Sequence, residues 1–568
     1  MGFGIIRYLR DHGVKHIFGV PDGHSMEMYD AMLQTDGIDH ILVNDERTAG
    51  FAADAYARVT GSLGVCDAGP AGAMNFPVSI VEAMGSESPV LYLISAVRSY
   101  FELHNVAHDI NIIDMVKPIT KWARKLINPQ NSAVYIRSAV KEAINGERGP
   151  VALVIPQDVL AEHEVRVHEY LHGKVGRGKT QTFSCPEIPC GPDLQDAIDL
   201  IKNAEQPVIF TGEGALNAEA YVEIKELSEF LHVPVFSTID GKGIMKSQLY
   251  EDNNYFGIVG LFGLRPNHIF IKKKADLVIF VGNRLTEDDT AYFKYPSQER
   301  MKTIHVDETI SNIGLNYDSI GVVGDPKNIL STFQAQLAKP TGEVLEKREK
   351  NIKWLRRKIK SYREMDDAQW MDAQPIKAPR VLKAIRDAMG ARDYLITDAS
   401  ASSRWIGPYF PVKEVGHRII SPRGVGPTGF GVGALIGTHF ALDIMNNGLT
   451  ERPNLVLVTG DGGLMNGGLA DLETIKKYGI DCTIVVLNNS ALGYVKFGQA
   501  LVYNWRIYDT ERPTTDFSKY GELHGGKGYM VENLEDLDSL IQEVVPSKGF
   551  KVIDVRTDPV DLLPRNYY

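Results

Sequence analysis

Two short polar segments follow apolar runs in the last third of the chain. Gly460-Asp461-Gly462-Gly463 comes directly after the run Asn454–Thr459, and Asn488-Asn489 comes directly after Cys482–Leu487. Short, nearly unbroken apolar runs are typical of parallel strands that are buried on both faces. In open α/β sheets, ligand-binding groups collect at the carboxyl ends of such strands. We therefore expect Asp461 and Asn489 to face a ligand.

The spacing of these two residues suits one strand–helix–strand unit. Asp461 and Asn489 are 28 positions apart, and helical spacing at Leu469, Leu472 and Ile475 separates the two runs. Such a unit returns the asparagine beside the aspartate, so that one carboxylate and one neutral oxygen converge. This pair suits Mg²⁺, which keeps water and takes further ligands from a bound phosphate.

Each polar segment alone could be an ordinary turn, because Gly, Asn and Asp are common turn residues. Gly460, Gly462 and Gly463 would also let a diphosphate approach the backbone closely. Together, at this spacing, the two segments predict an anchor for a metal-bound diphosphate.

The elements that would position this anchor repeat along the chain. Apolar runs alternate with segments of helical spacing, which predicts an α/β fold of doubly wound parallel sheets. Two polar segments, 162–192 and 340–375, are interpreted as linkers between three domains, residues 1–165, 190–340 and 375–568. The charged stretch 342–364 is expected to be a connector helix with an apolar seam. The runs are Lys15–Val20, His40–Val43, Pro89–Ser95, Pro150–Ile155, Pro207–Gly212, Pro234–Thr238, Ala275–Gly282, Thr303–Asp307, Tyr394–Asp398, Asn454–Gly460, Cys482–Leu487 and Lys551–Val555.

Composition excludes several classes of protein. The net charge of -11 argues against nucleic-acid binding, which needs a positive field. The apolar runs are far shorter than the roughly 20 residues of a membrane helix, and Arg7 and Arg10 do not suit a secretion signal. The 4 cysteines are too few for a disulfide framework, so a reducing, cytoplasmic location is expected. Cys185 and Cys190 lack the spacing of a metal site.

The arrangement from Gly460 to Asn489 resembles the signature of thiamine-diphosphate-dependent enzymes. Three amino-terminal segments are similar to the acetolactate synthase-like branch of that family, in order and spacing: Val14–Gly23, Asn44–Gly61 and Gly69–Asn75. The resemblance implies a pyrimidine-binding first domain, a central domain and a diphosphate-binding last domain. It also implies that the backbone carbonyl of Ala491 joins Asp461 and Asn489 as a ligand of Mg²⁺.

The resemblance assigns the other end of the cofactor to two further segments. Glu46 matches the family glutamate that bonds N1′ of the pyrimidine and so favours removal of the thiazolium C2 proton. Within Arg423–Gly437, Gly426 matches the residue whose carbonyl accepts the 4′-amino group. Thr428 matches the residue that bends the cofactor, although the family usually has Met, Leu or Ile there, so either the alignment slips by one residue or the site is adapted. Taken without the family, Glu46 would be an ordinary exposed acid.

The middle of the chain resembles the family's central domain, which binds FAD in acetolactate synthases. The similar segments are Pro207–Leu216, Ala275–Thr290 and Ile304–Gly314. Gly212-Glu213-Gly214 is weak evidence by itself because glycine pairs commonly mark turns. Many relatives keep the domain without flavin, so bound FAD and a bare scaffold both stay open.

Two departures from the family bear on the reaction. Acetolactate synthases carry a tryptophan soon after the Asn-Asn pair, whereas here Tyr494 and Phe497 precede Trp505. The family's active-site glutamine is replaced by His108, and His24 lies on a loop after another predicted strand. Either histidine could act as an acid or base near neutral pH.

The expected reaction makes or breaks a C–C bond of a 2-oxoacid or related carbonyl compound. A 2-oxoacid decarboxylase, a diketone hydrolase and a catalytically silent cofactor-binding subunit are the alternatives.

The expected partners are a small-molecule substrate, a 2-oxoacid or a diketone, and further copies of the chain. In the family, the two ends of the cofactor meet domains of different subunits. The resemblance therefore implies a homodimer or homotetramer, with Glu46 and Asp461 acting across the interface. The residues that could bind a substrate carboxylate are cationic and are not ranked by the sequence: Arg98, Arg284, Lys496 and Arg506.

Overall fold

The computed structural model describes residues 1–162, 192–249, 251–297, 299–445 and 451–560. These residues form three parallel six-stranded sheets that are covered by helices. The predicted α/β class with three doubly wound sheets is therefore confirmed. Cys185, Cys190 and most of the segment 162–192 lie outside the described residues. Among the described residues, no helix has both the length and the apolar character needed to cross a membrane.

The first sheet is built from residues 16–156. Its strands are β1 (His16–Gly19), β2 (Asp39–Leu42), β3 (Gly64–Ala68), β4 (Val90–Ala96), β5 (Trp122–Lys125) and β6 (Val151–Pro156). Its helices are α1 (Gly2–Asp11), α2 (Met26–Leu33), α3 (Glu46–Thr60), α4 (Pro77–Gly85), α5 (Ile112–Val116), α6 (Ser132–Ile144) and α7 (Gln157–Leu160). The strand order is β2-β1-β3-β4-β6-β5. The loops after β1 to β4 therefore leave the sheet side by side at one edge.

The second sheet is built from residues 207–323. Its strands are β7 (Pro207–Thr211), β8 (Val235–Ser237), β9 (Tyr255–Ile258), β10 (Leu277–Val281), β11 (Lys302–Asp307) and β12 (Ile320–Val323). Its helices are α8 (Pro192–Asn203), α9 (Glu213–Asn217), α10 (Tyr221–Leu231), α11 (Arg265–Lys273), α12 (Glu287–Thr290) and α13 (Pro326–Gln336), followed by the long helix α14 (Gly342–Asp367). The order β12-β11-β10-β7-β8-β9 reverses direction between β10 and β7.

The third sheet is built from residues 394–556. Its strands are β13 (Tyr394–Thr397), β14 (Ile419–Ile420), β15 (Leu455–Gly460), β16 (Cys482–Asn488), β17 (Lys527–Val531) and β18 (Phe550–Arg556). Its helices are α15 (Ala378–Ala388), α16 (Ala401–Tyr409), α17 (Phe430–Met445), α18 (Asp461–Gly463), α19 (Leu472–Lys477), α20 (Gly493–Val502), α21 (Ser518–Leu523) and α22 (Leu534–Val544). The order β14-β13-β15-β16-β18-β17 places the ends of β13 to β16 together.

The first and third domains pack directly through α3 and α17, which present small residues to each other. A Cβ added to Gly433 would lie 2.9 Å from the backbone oxygen of Thr48, and one added to Gly437 would lie 2.0 Å from that of Ala52. One hydrophobic core continues across both domains. Because the backbones touch, the relative position of the two domains is tightly constrained.

The connector helix predicted over 342–364 is observed as α14. Its apolar side chains Ile352, Leu355 and Ile359 are buried in a cluster of the central domain. Arg348 is also buried, and its guanidinium donates to the backbone oxygens of Leu231 and Ala204 at 2.8 and 2.7 Å. The helix is therefore part of the central domain's surface rather than a free linker.

Candidate active site

The two residues predicted to bind metal lie at the ends of paired strands. β15 ends at Gly460 and β16 at Asn488, and the two strands pair in parallel with Gly460 opposite Leu487. Asp461 begins α18, and Asn489 directly follows β16. The pairing places both residues at neighbouring strand ends, where α/β sheets bind ligands. Their role as metal ligands stays a prediction.

Asp461 is a buried carboxyl with little compensation for its charge. Its side chain is 5% exposed, and Nε of Arg512 lies 3.7 Å from its Oδ2. Burial raises the pKa of Asp461 to about 6. A carboxylate that is poorly solvated is stabilised by a cation placed beside it. Asp461 therefore suits a divalent metal ion.

The two adjacent asparagines have different surroundings. Asn488 is buried, and its Nδ2 donates to Oδ1 of Asp554 and to the carbonyl of Thr515, both at 2.9 Å. Asn489 is half-buried, and its Oδ1 accepts the backbone N–H of Ala491 at 3.1 Å. A carboxamide oxygen has two lone pairs, so this oxygen can bind a metal as well. Asn488 thus stabilises the sheet, while Asn489 lies beside the loop that carries the Ala491 carbonyl.

The glycines around Asp461 serve two different purposes. A Cβ on Gly460 would meet nothing within 4 Å, and one on Gly462 would meet only Leu492 Cδ2, at 3.5 Å. A Cβ on Gly463 would instead lie 2.6 Å from Oγ1 of Thr459. Gly463 therefore permits packing, whereas the backbone at Gly460 and Gly462 faces open space that a ligand could enter.

Asp398 is a site residue that the sequence patterns did not single out. It is buried at the end of β13, and its carboxylate accepts the N–H groups of Ala399, Gly429 and Gly431 at 2.7, 2.9 and 3.1 Å. These bonds fix the start of α17. The sequence did contain a signal, because the run Tyr394–Asp398 ends in an acid and the run Asn454–Gly460 is followed directly by one, Asp461.

The loop before α17 carries the two residues assigned to the pyrimidine side of the cofactor. Gly426 has a φ of 68° and is followed by Pro427. Thr428 is exposed, and its carbonyl accepts Nδ2 of Asn466 at 3.0 Å. The structure therefore holds Thr428 by its backbone, and its wedge role stays a prediction.

Ser400 is strained at the same edge of the third sheet. Its φ of 69° and ψ of -142° form a combination that is essentially reserved for glycine. Such a conformation costs a non-glycine residue roughly 1–3 kcal/mol and persists mainly where the surroundings impose it, often at functional sites. The strain indicates that contacts with the surrounding structure, and not the local backbone preference of serine, set the conformation at this edge.

Glu46 begins α3, and three residues separate it from the end of β2. Asp45 caps the helix by accepting the N–H of Arg47 at 2.8 Å. Oε2 of Glu46 accepts Nδ2 of Asn75 at 2.9 Å, and a Cβ on Gly72 would lie 2.2 Å from Oε1 of Glu46. The loop after β3 therefore needs glycine at this point to pass close to the glutamate.

His24 and His108 lie next to each other at this edge of the first sheet. The centres of their rings are 5.3 Å apart. His24 follows β1, and its Nδ1 lies 2.8 Å from Oδ1 of Asp22. His108 follows β4, is exposed and has a φ of 69°. The order β2-β1-β3-β4 thus collects Glu46 and both histidines along one row of strand ends.

The four candidates for binding a substrate carboxylate lie in different places. Lys496 is buried on α20, with Nζ 3.3 Å from Oε1 of Glu511, and Glu511 forms a backbone bridge with Ala491. Lys496 is therefore connected to the loop of the predicted metal site. The other three candidates are arginines that bind to other parts of the structure. Arg284 lies 3.4 Å from Glu87, Arg98 lies 3.0 Å from Tyr100, and Arg506 lies 3.1 Å from the carbonyl of Tyr503.

Three family models match the chain in the order of its three sheets. Residues 1–115 match the thiamine pyrophosphate enzyme N-terminal TPP binding domain, residues 194–333 the central domain, and residues 398–555 the C-terminal TPP binding domain. Thiamine pyrophosphate, or TPP, is another name for thiamine diphosphate. The chain belongs to the thiamine pyrophosphate enzyme family.

Relatives of this thiamine pyrophosphate enzyme align with nearly its whole length. It is 31% identical to the probable acetolactate synthase large subunit of Methanocaldococcus jannaschii, over 99% of this chain and 92% of the relative. It is 29% identical to the acetolactate synthase of Arthrospira platensis, over 98% and 93%. It is 28% identical to the acetolactate synthase large subunit of Haemophilus influenzae, over 98% and 94%. The chain is an acetolactate synthase-like enzyme, so the predicted family and enzyme class are confirmed.

The third-domain residues fit a diphosphate held through a metal ion. Asp461 offers a buried carboxyl of raised pKa, Asn489 offers a carboxamide oxygen, and the backbone at Gly460 is open on its ligand side. One charged and one neutral oxygen suit Mg²⁺, which leaves positions for phosphate oxygens.

A cavity of about 490 Å³ lies at the reversal point between β7 and β10, lined mainly by the central domain and also by residues of the first and third domains. This is where an α/β sheet would bind a dinucleotide. Ten acidic side chains and three arginines line the cavity. Burial raises the pKa of Asp240 to about 7 and that of Glu213 well above its ordinary value. A pyrophosphate placed here would face net negative charge.

Gly212 and Gly214, the glycines of the motif noted in the sequence, do not form a phosphate cradle. The N–H of Gly212 donates to the carbonyl of Val281, and that of Gly214 donates to the carbonyl of Gly282, both at 3.0 Å. A Cβ on Gly212 would lie 2.3 Å from the oxygen of Gly282. These glycines therefore allow two loops to pack together, and their amides already have acceptors. The residues of this cavity do not fit FAD.

Proposed function

We propose that this enzyme joins two 2-oxoacid molecules with loss of CO₂, using thiamine diphosphate held through Mg²⁺ by Asp461, Asn489 and the carbonyl of Ala491. The cofactor in this proposal is supported above all by the placement of Asp461 and Asn489 at the ends of paired strands, and the reaction is supported by the similarity to acetolactate synthases over nearly the whole chain. When bound there, thiamine diphosphate supplies the carbon nucleophile and the electron sink that this chemistry requires.

Residues of the first and third domains would bind and orient the pyrimidine end of the cofactor. Glu46, oriented by Asn75, would hold the proton at N1′ of the pyrimidine. The carbonyl of Gly426 would accept the 4′-amino group. Thr428 would take the position of the family's wedge residue, between Gly426 and the helix start that Asp398 fixes.

The histidine pair favours a second candidate function, a 2-oxoacid decarboxylase or diketone hydrolase. Both reactions need proton transfer to or from the product or water. His24 and His108, 5.3 Å apart and partly open to solvent, could supply it. The lack of a tryptophan between Asn489 and Trp505 also removes one feature of the synthases' acceptor pocket.

The assembly we infer is a homodimer or homotetramer. Apolar side chains are exposed on and after α20, directly beyond the predicted metal site. Soluble proteins seldom leave such a patch uncovered. Light scattering should show at least a dimer, and an active monomer would contradict the inference. The exposed residues are Val495, Leu501, Val502, Tyr503, Trp505 and Tyr508.

The location we propose is the cytoplasm. Cys66 and Cys482 are buried free thiols, which suits a reducing compartment.

We also propose that the enzyme works without flavin, because the central cavity is acidic and its glycine amides are already bonded. The purified protein should show no flavin absorbance in the visible range. Added FAD should neither bind in a fluorescence titration nor change turnover. Stoichiometric FAD retained through purification, or activity that depends on FAD, would contradict the proposal.

The reaction can be decided with pyruvate as the test 2-oxoacid. With thiamine diphosphate and Mg²⁺, two molecules of pyruvate should give one acetolactate and one CO₂, which mass spectrometry and CO₂ release can quantify together. CO₂ with only a free aldehyde would indicate a decarboxylase. Cleavage of a cyclic diketone to an oxoacid, without reaction of pyruvate, would indicate the hydrolase.

A further inference from the structure

Glu82, on α4 of the first domain, reaches into the third domain. Its side chain is completely buried. Oε1 accepts the N–H of Gly424 at 3.0 Å, and Oε2 accepts the N–H groups of Val425 and Gly426 at 2.8 and 3.1 Å. One carboxylate therefore binds three consecutive backbone amides, and the last belongs to the residue assigned to the cofactor's 4′-amino group.

Side chains of the first domain hold this carboxylate in place. Nη2 of Arg58 donates to Glu82 at 3.1 Å and to Asp54 at 2.7 Å, and the hydroxyl of Ser86 donates to Oε1 of Glu82 at 3.1 Å. Nη1 of Arg58 donates to the carbonyl of Ser421 at 2.8 Å, at the start of the same loop. The buried charge of Glu82 is thus paired and hydrogen-bonded, as a buried carboxylate must be.

The packing around the loop leaves it little freedom. A Cβ on Gly85 would lie 2.5 Å from Cα of Gly424, so α4 and the loop are in backbone contact. Gly426 has a φ of 68° and precedes Pro427, which restricts the ψ of the residue before it. With the amides of residues 424–426 bonded to Glu82 and ψ of Gly426 restricted, the direction of the Gly426 carbonyl is set.

We propose that Glu82 is a positioning residue that aims the Gly426 carbonyl from another domain. This inference rests on the proposed function, in which that carbonyl accepts the 4′-amino group of thiamine diphosphate. A carboxylate can accept all three amides and the arginine, because it has two oxygens and no donor. A glutamine would have one oxygen and would turn an N–H₂ group toward backbone N–H groups.

The first test is Glu82→Gln. We expect thiamine diphosphate and Mg²⁺ to bind with unchanged affinity, because Asp461 and Asn489 are untouched. We expect kcat to fall roughly 10–100-fold with little change in KM, as for a small misplacement of a reacting group. The exchange of the C2 proton of bound thiamine diphosphate with deuterium, followed by NMR, should slow by a similar factor.

Glu142→Gln is the matched control. It makes the same exchange at an exposed position on α6 of the same domain and removes none of the three amide bonds, so kcat and C2 exchange should stay near those of the wild type. Wild-type exchange rates in Glu82→Gln would overturn the positioning role and leave the proposed function intact. Failure of the wild-type protein itself to bind the cofactor or to accelerate C2 exchange would instead overturn the proposed function.

A measurement on the wild-type chain covers the case in which Glu82→Gln does not fold. Between Ser421 and Pro427, only residues 423–426 carry exchangeable backbone amides, and three of these four bond to Glu82. The side chain of Val425 is 59% exposed. Slow hydrogen exchange in this segment would therefore reflect the bonds to Glu82, and exchange at the rate of a free loop would overturn the proposal.

Discussion

Replacing Glu46 by glutamine is expected to lower kcat by roughly 10²–10⁴-fold while thiamine diphosphate remains bound. A glutamine keeps the shape of the side chain and can still accept Nδ2 of Asn75, which now lies 2.9 Å from Oε2. It cannot share a proton with N1′ of the pyrimidine. The loss should therefore appear in turnover and in C2 proton exchange, and cofactor affinity from a fluorescence titration should change little.

Glu535→Gln is a suitable control for the Glu46 variant. Glu535 is also an acid in the first turn of a helix, α22, and it is exposed. Removing its charge should cost at most about 1 kcal/mol through the helix dipole and leave kcat unchanged. A Glu46→Gln enzyme that keeps more than half of the wild-type kcat would exclude Glu46 from proton transfer.

Asp461→Asn should weaken the binding of Mg²⁺ and thiamine diphosphate by more than roughly 100-fold. Removing a residue that only contacts a metal ligand costs roughly 10–100-fold in metal affinity, and Asp461 is proposed to be a ligand itself. The substitution keeps the size of the side chain and removes its charge. Isothermal titration with Mg²⁺ and cofactor together would measure the loss. Tight binding by the variant would contradict the assigned metal site.

The same substitution should stabilise the protein without its cofactor. Burial raises the pKa of Asp461 from the ordinary 3.8 to about 6, so the folded state holds this proton more tightly than the unfolded chain. Ionisation of the buried Asp461 therefore lowers the free energy of unfolding. This loss is absent below about pH 4, grows as the pH rises to 6 and stays constant above, at about 1–3 kcal/mol. Without Mg²⁺ at pH 7, Asp461→Asn should thus have the higher melting temperature, and adding Mg²⁺ with cofactor should reverse the order.

The adjacent asparagines supply a matched pair of controls for the metal site. Asn489→Ala should weaken Mg²⁺ and cofactor binding with little effect on stability. Asn488→Ala should instead destabilise the fold, because it removes the donor to the buried Asp554. If both variants lost only stability, the assignment of Asn489 as a metal ligand would be wrong.

Eleven of the twelve strands that hydrophobic runs predict lie in the middle of the sheets, and the twelfth, β2, is an edge strand. All twelve predicted runs coincide with observed strands to within one or two residues at each end. Five of the strands without a predicted run lie at sheet edges, where one side of the strand has no neighbour and the apolar run is shorter. The exception is β3, which is central but reads Gly-Val-Cys-Asp-Ala, too mixed to stand out. The edge strands are β5, β9, β12, β14 and β17.

The candidate site divides in a similar way. The spacing of two polar segments after apolar runs points to Asp461 and Asn489, whereas Glu46 is assigned only by the family resemblance. Asp398 and Glu82 are not predicted from the sequence because the loop amides that they bind lie 31 or more residues away and leave no local pattern. The sequence contains one indication of Glu82, because it is the only acid on the helix Pro77–Gly85, whose other residues are apolar or small. Spatial neighbours such as His24 and His108 could be named singly from the sequence but not paired.

The glycine contacts between α3 and α17 imply where this enzyme can tolerate change. Adding even a methyl group at Gly433 or Gly437 would press on the backbone of α3, so enlarging side chains along this joint would disturb both cofactor-binding halves at once. The loops after β1 and β4, which carry His24 and His108, are free of that constraint. New substrate preferences should therefore arise by mutation in these loops, while substitutions at the contact between α3 and α17 should be poorly tolerated.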